Sequence, residues 1–264
     1  MKQIFLVLWS YRYFILSSIK TEFKSRFIRS KLGGLWMVIH PLAQVLVYAL
    51  ILSHILQAKL PHIQSEYAYS IYLLAGILGW NLFVEVLAKT LNIFIDNANL
   101  LKKVNFPKLT LPLIAIGSAL INFILLFFII LIVFAMLGHI PYHAIYAIPV
   151  VVVVTLILAM GIGLFLGILN VFIRDIGQVM DVVLNFWFWL TPIVYMVSII
   201  PQEYRGLLLL NPMSSIIIAY QDILVYDRFP QWSLLVYPMV LGMVMLYMAM
   251  FMYKKAHQEM ADVL

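Results

Sequence analysis

A membrane enzyme would need paired carboxylates, a histidine cluster or a reactive thiol, and this sequence assembles none of them. Asp175 and Asp181 are six residues apart, so on a helix they point to different faces. His54, His62, His139 and His143 fall toward one side of the membrane but are scattered and lack carboxylate neighbours. There is no cysteine, which excludes a disulfide framework, a thiolate metal site and a cysteine nucleophile together. No Gly-x-x-x-x-Gly-Lys-Ser/Thr cradle for nucleotide phosphates occurs either.

The remaining polar and aromatic residues fit binding and packing. Glu85 and Lys89 are spaced for an ion pair, with Glu before Lys, at the end of a span. Asp181 opens a later span beside Arg174 and Asp175. Asn81, Asn122, Asn170 and Asn185 read as interhelical hydrogen-bonding residues. Ala159, Gly163 and Gly167 recur every four residues and predict a close-packing face for another helix. The run Phe186-Trp187-Phe188-Trp189 is followed by Thr191, Pro192 and Tyr195, and a continuous helix would set Trp187, Thr191 and Tyr195 on one face. Aromatic faces stack against the axial C–H bonds of sugars. The expected substrate conduit is therefore Trp187, Phe188, Thr191 and Tyr195, with Tyr48 of the first span as a neighbour. An aromatic belt, or packing of the same residues on Tyr48, is the alternative.

These residues must be positioned by membrane helices. Hydrophobic residues make up 65% of the 264 positions and charged residues 11%, against about 25% charged in a soluble domain. Gaps between charges mark six spans, at 36–57, 69–92, 111–137, 144–170, 179–199 and 233–253. Leu109 to Ile173 carries no charge and holds two of them, separated by the turn-forming cluster Gly138-His139-Ile140-Pro141-Tyr142-His143. Lipid cannot bond a free backbone amide, and unbroken apolar runs without alternation choose helices over a barrel. The expected fold class is all-α integral membrane, as a single transmembrane domain over 1–264. With both termini on one side, thirteen basic residues share that side against three on the other (Lys59, Arg205 and Arg228), so the termini are expected in the cytoplasm. Lys2 precedes the apolar run Ile4 to Trp9, but no small-residue cleavage site follows, so no signal peptide is expected.

Three further pieces follow. In 15–31, Ile15, Ile19, Phe23 and Phe27 recur every four residues among cations, which predicts an amphipathic interfacial helix. Its Arg26, Arg29 and Lys31 either anchor topology or also meet a lipid pyrophosphate. In 96–106, Asp96 or Asn99 can cap a short helix, Lys102 and Lys103 suit its end, and Pro107 stops it. Val104 and Phe106 then stand exposed, as a knob for a soluble partner or as a plain basic loop. In 201–226 two short outer helices are expected, the second opening at Asn211-Pro212. There Met213, Ile216, Ile217, Tyr220 and Leu224 share a face while Gln221 and Asp222 point away. Met213, Ile217 and Tyr220 are candidates for an outer gate, with Tyr220 closing over the Tyr195 hydroxyl; a packed lid is the other reading.

The ordered segments together resemble the permease subunits of type-2 ABC exporters of polysaccharide, especially lipid-linked O-antigen. Arg26-Phe27-Ile28-Arg29-Ser30-Lys31-Leu32-Gly33-Gly34-Leu35-Trp36 with His40-Pro41 resembles the family's interfacial helix and its entry to span one. Lys102-Lys103-Val104-Asn105-Phe106-Pro107-Lys108 resembles its coupling-helix region. Ile173-Arg174-Asp175-Ile176-Gly177-Gln178, Leu190-Thr191-Pro192-Ile193-Val194-Tyr195 and Leu210-Asn211-Pro212-Met213 match the later segments; His40 is a departure. The resemblance implies a homodimer with two copies of a separate ATPase subunit, which binds ATP and magnesium while this chain binds no cofactor and no metal. It implies an inner-membrane location, a lipid-linked polysaccharide substrate, contact with membrane lipids and no nucleic-acid partner. Asp96, Asn99, Lys102, Lys103, Val104 and Phe106 would couple to ATP hydrolysis. Exporters of teichoic acid, capsule, drugs or lipids are the near alternatives, and a polytopic enzyme of envelope biosynthesis is the remote one.

Overall fold

The computed structural model describes residues 10–27, 68–99 and 110–263, with six scattered positions between 35 and 47. These residues form helices and no strand: α1 Arg12–Phe27, α2 Ala68–Leu91, the single turn α3 Ile93–Asp96, and α4 Thr110–Met136. After these come α5 Ile148–Phe172, α6 Asp175–Leu190, α7 Gln202–Leu210, α8 Pro212–Leu224 and α9 Trp232–Val263. A 3-10 turn at Ile145–Ala147 leads into α5. Among the described residues, α2, α4, α5 with its leading turn, and Trp232–Ala256 of α9 are long and apolar enough to cross a bilayer. The pair α7–α8, bent by 106°, makes a fifth if taken as one span. The expected first span, 36–57, lies outside the described residues apart from scattered positions.

The fifth expected span, 179–199, is not one helix. α6 stops at Leu190 after 16 residues, about 24 Å at 1.5 Å per residue. That is short of the roughly 30 Å of hydrocarbon. The missing term in the sequence reading is Pro192, whose ring disfavours helical backbone at Thr191. Thr191 is extended at φ −101° and ψ 139°.

α2 is the central helix, buried on nearly every side, with α4, α5 and α8 packed around it. α5 lies between α2 and α9. Small residues set these distances. A Cβ on Gly167 would meet the Thr90 and Leu91 carbonyls of α2, and Gly163 faces the Thr90 side chain. Thr90 returns its hydroxyl to the Val86 carbonyl at 2.7 Å, which keeps its polar atom satisfied beneath α5. The other face of α5 meets α9 where Gly161 and Gly242 touch. α9 runs on to Val263 rather than ending near 253. Its Tyr253 stacks on Phe94 of α3 at 5.7 Å, and Met260 is buried in the same apolar cluster as Ile93 and Leu111. α1 packs on α4 by setting Ile19 over Gly117, with Ile15 half-buried one turn before it, while Tyr13 and Leu16 are exposed; the side chains of Phe23 and Phe27 lie outside the described residues.

Gly242→Ala would place a Cβ 2.8 Å from the backbone of Ile157 and Leu158, which has no side chain to move aside. The expected loss is about 1–3 kcal/mol by overpacking, read as a lower melting temperature in detergent. Gly206→Ala, with no atom within 4 Å of the new methyl, should match the native protein or exceed it slightly. Equal melting of both variants would dismiss the close α5–α9 crossing.

Candidate functional site

The break after α6 leaves carbonyls without helical partners, one of them fully buried, and three side chains from other helices receive them. The Tyr69 hydroxyl of α2 donates to the Val194 carbonyl at 2.6 Å. The Tyr72 hydroxyl lies 3.2 Å from the Pro192 carbonyl and 3.1 Å from the Tyr195 carbonyl, with one proton shared between them. The Gln221 amide of α8 donates to the Pro192 carbonyl at 2.9 Å. Gln221 and Asp222 are therefore buried rather than turned away, and α8 is wedged among α2, α5 and α9 instead of floating on an interface. Asn211 is the joint between α6 and α8. Its Oδ1 accepts from the Met213 amide at 3.0 Å, the expected cap, and from the Trp187 indole at 2.7 Å. Its Nδ2 donates to the Thr191 hydroxyl oxygen at 3.0 Å.

These bonds turn the expected conduit residues inward. Trp187 meets Phe83 edge-on at 5.2 Å, Phe188 meets Trp80 at 5.6 Å, and Thr191 is buried. Tyr195 lies beyond the helix and does not share a helical face with Trp187; its hydroxyl donates to the Leu190 carbonyl. The open side of α6 instead carries Val179, Val182, Val183, Phe186, Trp189 and Leu190, all exposed. Met213, Ile217 and Tyr220 are fully buried. Tyr220 lies against Gly79 with its hydroxyl 3.5 Å from Thr155, so it does not close over Tyr195. α7, by contrast, buries no residue. Tyr48, Lys102, Lys103, Val104, Phe106, Arg29, Lys31 and the side chain of Arg26 lie outside the described residues. Asp96 ends α3 and Asn99 is exposed just after it. Partial desolvation pushes the Asp96 carboxyl above its ordinary value.

At the α1 end of the molecule Lys89 pairs with Glu85 at 3.0 Å, as the spacing predicts, and also with Glu22 of α1 at 2.9 Å. Asn122 donates to Glu85, and Asn170 lies 3.3 Å from Asn92 and accepts from the Gly177 amide, so both asparagines are interhelical. Among the described residues Asn185 shows no such partner and bonds the Asp181 carbonyl of its own helix. At the far end the Asp227 carboxylate accepts the amides of Tyr142, His143 and Ala144 at 3.1, 2.9 and 2.9 Å, ahead of α5. His139 donates to the Leu224 carbonyl beside it. Asp227 sits at φ 47°, a left-handed conformation that Asp tolerates better than most residues. Desolvation raises its pKa, but the three amides outweigh that and hold the carboxyl below its ordinary value.

All of this belongs to a multi-helix membrane unit without a nucleotide cradle, and the family model for ABC-2 type transporters matches residues 13–225. The chain belongs to the ABC-2 type transporter family. Among relatives of this ABC-2 chain, the O-antigen export system permease protein RfbA of Myxococcus xanthus is 30% identical over 257 residues, covering 97% of this chain and 96% of the relative. RfbA of Klebsiella pneumoniae is 27% identical over 203 residues, 76% of each chain. The polysialic acid transport protein KpsM of Escherichia coli is 20% identical over 245 residues, 90% of this chain and 92% of the relative. As an ABC-2 transporter chain it is a multi-pass membrane protein. The sequence carries no signal for Glu22 or Asp227, marks Asn211 as a cap and not as a joint, and names Phe186 and Trp189 within the aromatic run without showing that they face outward.

Two outcomes follow from this geometry. Tyr72→Phe leaves Pro192 still bonded by Gln221, and Gln221→Leu leaves it near Tyr72, so each single change should be mild. The double variant strips the carbonyl, and unfolding in detergent should show a loss exceeding the sum by about 1–3 kcal/mol. Strict additivity would assign the break to other forces. For Asp227, whose folded pKa is depressed, the tie is present above the unfolded value of about 3.9. It is lost as pH falls through the lower folded value. Hydrogen exchange at residues 142–144 should rise over that window in the native protein, and at neutral pH in Asp227→Ala. Slow exchange in the variant would dismiss the tie.

Proposed function

We propose that this chain is the membrane subunit of an ATP-driven exporter that moves a lipid-linked polysaccharide, such as O-antigen, from the cytoplasm across the inner membrane. The 30% match to an O-antigen export permease, running through 97% of the chain, carries this reading. The KpsM match over 90% of the chain favours a second reading, capsule polysaccharide, with the same machinery.

In this reading the chain has six spans, with 36–57 as the first, α6 and its broken continuation as the fifth, and both termini in the cytoplasm. α1 begins an interfacial helix whose Arg26, Arg29 and Lys31 meet the lipid pyrophosphate. The residues from Asp96 to Phe106 dock into a separate ATPase subunit, which holds ATP and magnesium. Two copies of this chain face each other through the open side of α6, whose apolar residues recur at helical spacing and are exposed in the single chain. The conduit wall is then Phe186 and Trp189, with Trp187, Phe188 and Thr191 as the layer behind them. α8 is the fixed part of the outer closure, and α7, which buries nothing, is the part that moves. A wall of aromatic faces without fixed charge lets a polymer bind weakly and slide.

Deleting the gene should leave lipid-linked polymer on the cytoplasmic side and remove it from the surface, and the tagged chain should purify with an ATPase subunit. Normal surface polymer in the deletion strain would sink the reading. In the reconstituted complex, Phe106→Ala should keep assembly and lower export per ATP hydrolysed, since buried aromatic anchors contribute about 2 kcal/mol or more to an interface. Cysteines at His139 and Arg205 should label from outside, and one at Lys255 only after permeabilisation.

A further inference from the structure

Lys89 stands in the last turn of α2, near the root of the loop that the proposed function assigns to the ATPase. An ammonium has three protons. Here the three go to Glu22 of α1 at 2.9 Å, to Glu85 of its own helix at 3.0 Å, and to the Ser118 hydroxyl of α4. Glu85 in turn accepts from Asn122 of α4. α2 enters the loop and α4 leaves it, so one side chain joins both stems to each other and to the N-terminal helix. Side-chain exposures of 17% for Lys89, 25% for Glu85 and 32% for Glu22 leave the group half-buried, less screened than a fully exposed ion pair, which would contribute little. Three residues before Glu22, on the same face, Ile19 sits over Gly117 of α4. α1 is therefore gripped twice, once by shape and once by charge. Beside the ammonium a cavity of about 360 Å³, lined by Ser18, Glu22, Lys89, Asp96, Leu111 and Ile114, separates α1 from the stems.

An all-apolar contact would hold α1 at least as firmly, since an enclosed ion pair gains little net stability over packed hydrophobic residues. What the ions add is a directional tie to particular partners. The cavity thins the packing of α1 on the stems beside Glu22, and there the ion contact spans the gap. We infer that Lys89 is a positioning residue for energy coupling: through Glu22 and Ser118 it makes α1 move with the two stems of the loop when the partner ATPase pushes on them. This rests on the exporter reading, but it names a transmission point in α1, α2 and α4 that lies outside the docking loop itself.

The test uses the whole complex with its ATPase subunit in proteoliposomes, reading polymer exported per ATP hydrolysed together with hydrogen exchange along α1. Glu22→Gln is the decisive variant, because it leaves Lys89 paired with Glu85 and so leaves no half-buried cation without a carboxylate. It should lower the export ratio about fivefold, the size of effect that a contact pair of this kind carries, with basal ATPase activity unchanged and α1 exchange faster. Lys89→Gln should do the same, and the double variant should be no worse than either single change. The exchange Glu22→Lys with Lys89→Glu should recover most of the ratio. A native ratio in Glu22→Gln overturns the inference, and faster α1 exchange with that ratio intact makes the contact an anchor only. Additive losses in the double variant overturn it as well. Absence of any associated ATPase instead overturns the exporter reading, and this inference with it.

Discussion

A peptide carbonyl inside a bilayer has no water to bond, and leaving one bare costs several kcal/mol. Among the described residues, the end of α6 is where the helix breaks and that constraint applies. Pro192 stops the helix partway, and the freed carbonyls of Pro192, Val194 and Tyr195 are met by Tyr69, Tyr72 and Gln221. For those donors to arrive, α2 must be central and α8 must be driven into the molecule. Asn211 then fixes the angle between α6 and α8 by serving both. The burial of Trp187 and Phe188 follows, because the same joint draws that side of α6 against α2. The outward exposure of Phe186 and Trp189 is the complement of that rotation.

The other end of α2 is organised by charge instead. Close contacts of Gly163 and Gly167 on one side bring α5 within reach of the α2 backbone, and Asn170 of α5 meets Asn92 just beyond them. On the opposite side Lys89, Glu85, Asn122 and Ser118 form a satisfied network with Glu22. In a membrane such a group persists when each member has a partner. α2 thus carries hydroxyl donors toward one surface and an ion network toward the other, with tight apolar packing between. The tail of α9, through Tyr253 and Met260, adds an apolar brace to α3 beside that network.

Much of this was legible in the residues. Charge-free runs located α2, α4, α5 and α9, because lipid tolerates little else over that length. The Glu85–Lys89 pair, the Gly163 and Gly167 face and the Asn211 cap are local features that depend on helical spacing alone. Asn185 misled because an asparagine can bond its own helix as readily as a neighbour, and spacing does not distinguish the two. Gln221 and Asp222 misled for a related reason. A polar residue beside an apolar face reads as solvent-facing, yet it is buried when a bare carbonyl or an arginine waits for it, as Pro192 and Arg228 do here.

By itself, then, the sequence determined that the chain lives in lipid, that it is helical, and which short-range pairs form, since each follows from composition or from a period of 3.6 residues. Its ordered segments also pointed to the transporter family that the comparison identified. Only the tertiary structure decided which way α6 faces, that α8 is wedged inside rather than lying at the rim, and that Glu22 reaches Lys89 from 67 residues away. Those are rotations and long-range pairings, settled by where unsatisfied carbonyls and protons find partners across helices. No local pattern records that outcome, because each partner's own spacing is compatible with several neighbours.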